Sequence, residues 1–423
     1  MAIATQKTAA ETAYLEAFSA GDDWLTAERE KGFAAFSATG LPHRRMEDWK
    51  WTDLRQLIGK AFPPARGGAS GDVDALVASS PLKDIARARL VFVNGEFDAA
   101  RSKLPASGDV EVSALSTAKT AIAIGETAGD PIDGLNRANV SDGAHVLVKP
   151  RANADAPIEL VFVSSAGKEA TFTTRNVIEL GEGASATIFE THLGGGADYV
   201  HNTVTEIRLG KAARLDRVKL QMEALGAYHL SNLVVDLDAE AHLQDFTLTR
   251  GAAANRQQGF VTFNGEHAHA DISGAYLLGH KRHADTRLVV DHRVPNCTSR
   301  ELFKCVMDDE ARGIFQGKVI VQPDAQKTDG KQSSHALLLS PNAEFDAKPE
   351  LEIYADDVVC GHGATSGELD ESLMFYLRAR GIPEAKAKSM LIAAFVAESF
   401  DDVENEAVRE VLNGIAHGWL ALR

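Results

Sequence analysis

Cysteine is scarce in this chain: there are three in 423 residues, Cys297, Cys305 and Cys360. An odd, sparse set makes no disulfide framework. It fits a reducing compartment, where thiols act as core filler, ligands or nucleophiles. Positive charge is also short, with 44 Lys and Arg against 60 Asp and Glu and a formal net charge of −16. That balance excludes nucleic acid or an anionic membrane as the main partner, because phosphate binding needs clustered cations. The run "HRR" at His43 to Arg45 is too short to change this. Long apolar runs are missing too: "MLIAAFVA" falls far below the ~20 residues that span a bilayer. The opening "MAIATQKTAAETAYLEAF" carries acids early and no continuous apolar stretch, unlike a secretory signal. A cytoplasmic location is the expectation.

What is present is enough apolar material, 44% of residues, to bury a large core. Thr8 to Phe36 places Tyr14, Leu15, Phe18, Trp24 and Leu25 at helical spacing, and Gly40-Leu41-Pro42 stops the pattern. "LPHRRMEDWKWTDLRQL" sets Trp49 and Trp51 among charges, an aromatic anchor leading into a short helix. "FPPARGGASGD" has linker composition, and "ARLVFVNGEFD" reads as a hairpin turning at Asn94-Gly95. A helical pattern is expected around Val112 to Ala138, ending near Asp142-Gly143.

From "HVLVKP" onward helical periodicity is lacking, and short alternating runs replace it: "NVIEL", "VTEIRL", "DRVKLQM", "NLVVDL", "FVTFNG" and "TRLVVDH". This is strand text. Ala184, Ala213, Ala241 and Ala268 each open such a run, at intervals of 29, 28 and 27 residues. A steady interval of this size predicts a solenoid of stacked strand coils, a β-helix. After Gly367 helices return: one ends at Gly381, the next starts at Pro383, and Val408, Val411, Leu412, Ile415 and Trp419 form one apolar face. The expected organisation is a mostly helical domain with a hairpin over 1–142, a β-helix core over 143–366 and a helical domain over 367–423.

Four stretches carry candidate chemistry. "RGIFQGKVIV" resembles a phosphate loop. It has three residues between Gly313 and Gly317 instead of four, and Val319 follows Lys318, so a β-turn is expected instead. "EHAHADI" puts His267, His269 and Asp271 on one strand face. A flat strand spaces alternate side chains roughly 7 Å apart, too far for three ligands to share an ion, so a solvated or partner-facing stripe is expected. Cys297 and Cys305 in "PNCTSRELFKCVM" lack CxxC spacing and read as buried small apolar residues. In "VVCGHGATSG", Cys360 and His362 at i and i+2 of an extended chain face one way, and Gly361 and Gly363 allow close approach. Two ligands do not complete a four-coordinate site. The pair is a turn, a nucleophile pair or half of a shared site.

"MEDWKWTDL", the block "AQKTDGKQSSHALLLSPNAEFDAKPELEIYADDVVCGHGAT" and "DESLMFYLRARGIPEAKAKSMLIAAF" together resemble the SufB/SufD family of iron–sulfur cluster assembly proteins. SufB carries His-Glu-Ala-Thr where this chain has His362 and then Gly363, and it lacks the preceding cysteine, so the likeness is to the other branch. The resemblance implies a mainly β fold, a right-handed parallel β-helix with helical ends. It implies a non-catalytic scaffold subunit that pairs with SufB and docks the SufC ATPase through the C-terminal helices. His362 would face that interface, ligating iron or positioning sulfide of a nascent Fe–S cluster that this chain alone does not hold tightly. Cys360 matches a family cysteine of less secure role, and Cys305 departs from the family pattern. Whether the isolated chain pairs with itself as a homodimer is left open by the sequence. The alternatives are a purely structural SufB-stabilising subunit and a β-helix carbohydrate-active enzyme.

Overall fold

The structure is a computed structural model that describes residues 7–105, 108–118 and 130–422. It is mainly β, a solenoid of stacked coils with helices at both ends of the chain. There are two sheets, one of ten strands and one of nine, and from Ala144–Val148 onward successive strands fall alternately into them. Along the solenoid each strand pairs in parallel with the strands one coil before and after. Leu215, Leu243, Ala270, Ser299, Gly330 and Cys360 thus form one continuous rung column. At one end the stack is closed by antiparallel pieces, Glu96–Phe97 on Ala88–Val93 and Val110–Ala114 on Ala144–Val148. At the other end Glu344–Ile353 and Val359–Gly367 are the last strands of their sheets.

The alanine interval has a local cause. Each of those alanines follows a residue with a left-handed backbone: Gly183, Ala212, Glu240 and His267, with φ of 64°, 54°, 59° and 61°. The corner turns sharply there, and the side chain after it points into the tightest part of the coil. Ala184, Ala213, Ala241 and Ala268 are all fully buried. Cys297 continues the same ladder after Asn296 at φ 62°, and buried Thr328 after Lys327 at φ 63°. Cys297 is therefore core filler of the expected kind, and Cys305 is buried as well.

Four expectations need correction. The first helical stretch is two helices, Ala9–Glu16 and Thr26–Thr39, parted where Gly21 adopts φ +70°. Val110–Ala114 is a strand, because Val112 and Ala114 turn into the solenoid core, although helix follows at Leu115–Ala118 and Pro131–Asn139. The rest of that expected helix, 119–129, lies outside the described residues. "RGIFQGKVIV" is strand throughout, not a turn. Gly317 is needed for space, since a Cβ there would come 2.2 Å from the Gln332 amide that crosses the interior. His267 belongs to a corner, and the strand starts only at His269. The hairpin at Asn94-Gly95 and the buried face of Val408, Leu412, Ile415 and Trp419 are found as expected.

Helices clothe the outside of both sheets. The N-terminal helices pack Tyr14, Phe36, Leu54 and Leu135 against Val200 and Leu230. The last two helices, Glu384–Ala397 and Glu406–Leu420, cover Phe189, Val218, Phe246 and Leu248 of the ten-stranded sheet. The tryptophan motif is a clamp. Trp49 is buried with the Arg256 guanidinium 4.3 Å over its ring, and Arg256 reaches the Asp48 carbonyl at 2.8 Å and Asp285 at 2.5 Å. Replacing a buried aromatic of this size leaves a void and removes the ring that the Arg256 guanidinium lies over, so Trp49→Ala is expected to lower unfolding stability by about 3–5 kcal/mol. Chemical denaturation checks this; a loss below about 1 kcal/mol contradicts the clamp.

Candidate functional site

Cys360 and His362 lie on Val359–Gly367, the outermost strand of the ten-stranded sheet. Register sets their direction. Cys360 is level with Gly330 and His362 with Gln332, which is buried inside the solenoid. Both side chains therefore project from the inner face of the last coil. Cys360 is half-buried against the core, its Sγ 3.6 Å from where a Gly330 Cβ would stand. His362 is exposed because no further coil covers it. Burial pushes the Cys360 thiol up, opposed by a hydrogen bond from the Gly330 backbone, with Asp329 and Glu301 adding to the rise. At neutral pH it is a thiol, so it is not a ready nucleophile. Nothing stands within 4 Å of a Cβ built on Gly361 or Gly363, so this edge is bare.

The sequence reading missed Glu301. It occupies the same inner column, Ile272–Glu301–Gln332–His362 across four coils. It is buried, and burial pushes its carboxyl up to about 8, with Ser299 and Arg300 working the other way. A neutral, proton-carrying carboxyl thus sits two rungs, roughly 10 Å, behind the exposed imidazole. The signal was available in "SRELFKC": Ser299, Glu301, Phe303 and Cys305 alternate onto one face, and that face is inside.

Deeper in the solenoid lies a second polar group. His192, His201 and His229 gather inside the coils, each fully buried. His192 Nε2 donates to Glu190 at 2.7 Å, His229 Nδ1 lies 2.7 Å from Glu223, and Lys219 Nζ lies 3.0 Å from His229 Nε2. Arg217 joins Glu190 at 2.8 Å and Asp245 at 2.5 Å. Burial drives His229 down to about 4 and Lys219 down to about 8. Burial alone would raise Glu190, but Arg217 and its neighbours hold it well below the usual carboxylate range. This network has alternating charges and is closed to solvent.

On the outside of the ten-stranded sheet, "HAHAD" contributes His269 and Asp271 but not His267. Their third neighbour is His242 of the adjacent coil, level with His269.

Two matches to known families define the class of protein. "SUF system FeS cluster assembly, SufBD core domain" matches residues 162–395, and "SufBD protein N-terminal region" matches residues 10–160. The chain belongs to the SufB/SufD family of iron–sulfur cluster assembly proteins. Within it the likeness is to SufD: the iron–sulfur cluster assembly protein SufD of Escherichia coli is 34% identical over 380 residues, 88% of each chain. A SufBD family protein of Synechocystis is 28% identical over 401 residues, 90% of this chain and 88% of the relative. One of Mycobacterium tuberculosis is 28% identical over 393 residues, 90% of each.

Glu301 gives a test of the column behind His362. Its unfolded-state carboxyl titrates near 4.5 and its folded one near 8, so between those values the folded chain binds more protons. Stability from the buried neutral form is complete below about pH 4.5 and is lost as pH rises through 8, at up to about 1.4 kcal/mol per pH unit. Glu301→Gln is expected to melt several degrees above the parent at pH 8 and level with it at pH 5. An equal gap at both pH values contradicts a buried neutral carboxyl.

Proposed function

We propose that this chain is a non-catalytic scaffold subunit whose open solenoid end pairs with SufB, so that a nascent Fe–S cluster forms at the shared interface. The observation that carries this reading is the unfinished coil. Two edge strands, Glu344–Ile353 and Val359–Gly367, present unpaired main-chain groups side by side, with Tyr354 and Val359 60% and 62% exposed beside them. An exposed edge of this kind is a template for strand addition by another chain. His362 projects from that edge, and its imidazole is of a type that binds ferrous iron. Cys360 lies two residues before it on the same strand face, set to join only if the partner's approach or a bound cation lowers its thiol. The cluster is cargo here, built between two proteins. Without SufB the same edges are free to pair with a second copy of this chain.

In this reading the SufC ATPase docks on the other outward feature. Helix Glu371–Ala379 buries none of its residues, and Leu373, Phe375 and Tyr376 are 50%, 75% and 52% exposed. Such an apolar patch marks a protein-binding surface. ATP hydrolysis by SufC bound there would shift the C-terminal helices, which cover the outer face of the same sheet whose last strand bears His362. Family membership replaces the carbohydrate-active reading. The purely structural reading differs only in whether iron meets His362.

Co-expression with SufB and SufC separates these statements. His362→Ala is expected to leave the three-protein complex intact and cut cluster yield about tenfold. Phe375→Asp is expected to lose SufC while keeping SufB. Full iron and sulfide content in the His362→Ala complex would leave the chain a purely structural partner, and retention of SufC by Phe375→Asp would move its docking elsewhere.

A further inference from the structure

We propose that His242, His269 and Asp271 form a binding site for a divalent first-row transition-metal ion on the outer face of the ten-stranded sheet, separate from the solenoid end. Parallel register makes the site. His242 and His269 are level on neighbouring coils, and Asp271 is two residues along on the same face. The imidazole rings meet edge to face, 4.9 Å between centroids. His269 Nε2 lies 2.7 Å from Asp271 Oδ2, and His242 Nε2 lies 3.9 Å from the same oxygen. Ligands about 2.1 Å from one ion stand about 3.0–3.4 Å from each other. The two distances bracket that value, so small side-chain rotations suffice.

Chemistry and surroundings agree with the geometry. The His242 Nε2 atom is buried and has no hydrogen-bond partner, although it points at the carboxylate. His269 Nδ1 is bonded to the Thr298 hydroxyl on the next coil, which leaves Nε2 as its ligating atom and fixes the ring. Such a second bond is the usual support of a metal-bound histidine. Neighbouring cations are engaged elsewhere: Arg214 pairs with Glu404 of the C-terminal domain, and Arg300 binds Asp329 at 2.7 Å. The three side chains are 29%, 32% and 21% exposed, so an ion can arrive from solvent and keep open coordination positions. Two imidazoles and one carboxylate suit iron, cobalt or zinc in the divalent state. The interior trio His192, His201 and His229 is sealed, and Lys219 Nζ stands 3.0 Å from His229 Nε2 where a cation would go.

The test uses the full chain carrying Cys360→Ser and His362→Ala, so that ligands at the solenoid end contribute nothing. After chelator treatment it is titrated with Co²⁺, read by visible absorption, with Zn²⁺ as competitor. One Co²⁺ per chain is expected, displaced by Zn²⁺. His242→Gln, His269→Gln and Asp271→Asn should each weaken binding by about tenfold or more, while corner variant His267→Gln binds as the parent does. Melting curves provide a second reading: Zn²⁺ should raise the melting temperature of the parent and not that of the three variants. Absence of saturable Co²⁺ binding by the parent, or equal affinity in the three variants, overturns the proposal.

Discussion

A stack of strand coils cannot satisfy its own ends. Every inner coil of this solenoid has its main-chain hydrogen bonds met by the coil on either side, and its interior covered by the next layer. The last coil has one neighbour only. At the other end of the stack the chain closes with antiparallel strands and the hairpin at Asn94-Gly95. At the Val359–Gly367 end among the described residues the coil has no such cap, and the C-terminal helices turn aside onto the outer face of the sheet. That asymmetry explains why an inward-facing position bears an exposed histidine, and why glycines flank it with open space.

The same geometry ties the interior to the site. Positions that face inward on an early coil are buried whatever their chemistry, so the polar ones form a neutralised network of Arg217, Glu190, Lys219 and the three histidines. Toward the open end Ile272, Phe303 and Phe315 make the interior apolar. There burial keeps Glu301 protonated, with Cys360 and His362 in front of it. A solenoid therefore changes the character of one column of side chains by depth alone, from sealed network to exposed histidine.

Much of this was legible beforehand. The alternating runs and the alanine interval read as coils because the corner demands a small residue after a left-handed one, and Cys297 is the fifth member of that ladder. The facing of Cys360 and His362 followed from strand alternation, and the shortage of ligands followed from counting them. The missed features share one cause: they depend on register between strands about 28 residues apart. Glu301 stands behind His362, and His242 beside His269, only once coils are superposed, and one alternating strand does not show its neighbour. His267 misled because alternation was carried through a corner. Gly313 and Gly317 misled because a glycine that makes room inside a coil reads like one that makes a turn.

The central claim is that the unfinished coil is completed by another chain. Hydrogen–deuterium exchange of the backbone amides, with and without bound SufB, measures this directly. The account predicts slowed exchange in Glu344–Ile353 and Val359–Gly367, with the inner coils unchanged. A complex that forms while these two strands exchange as they do in the free chain would contradict it.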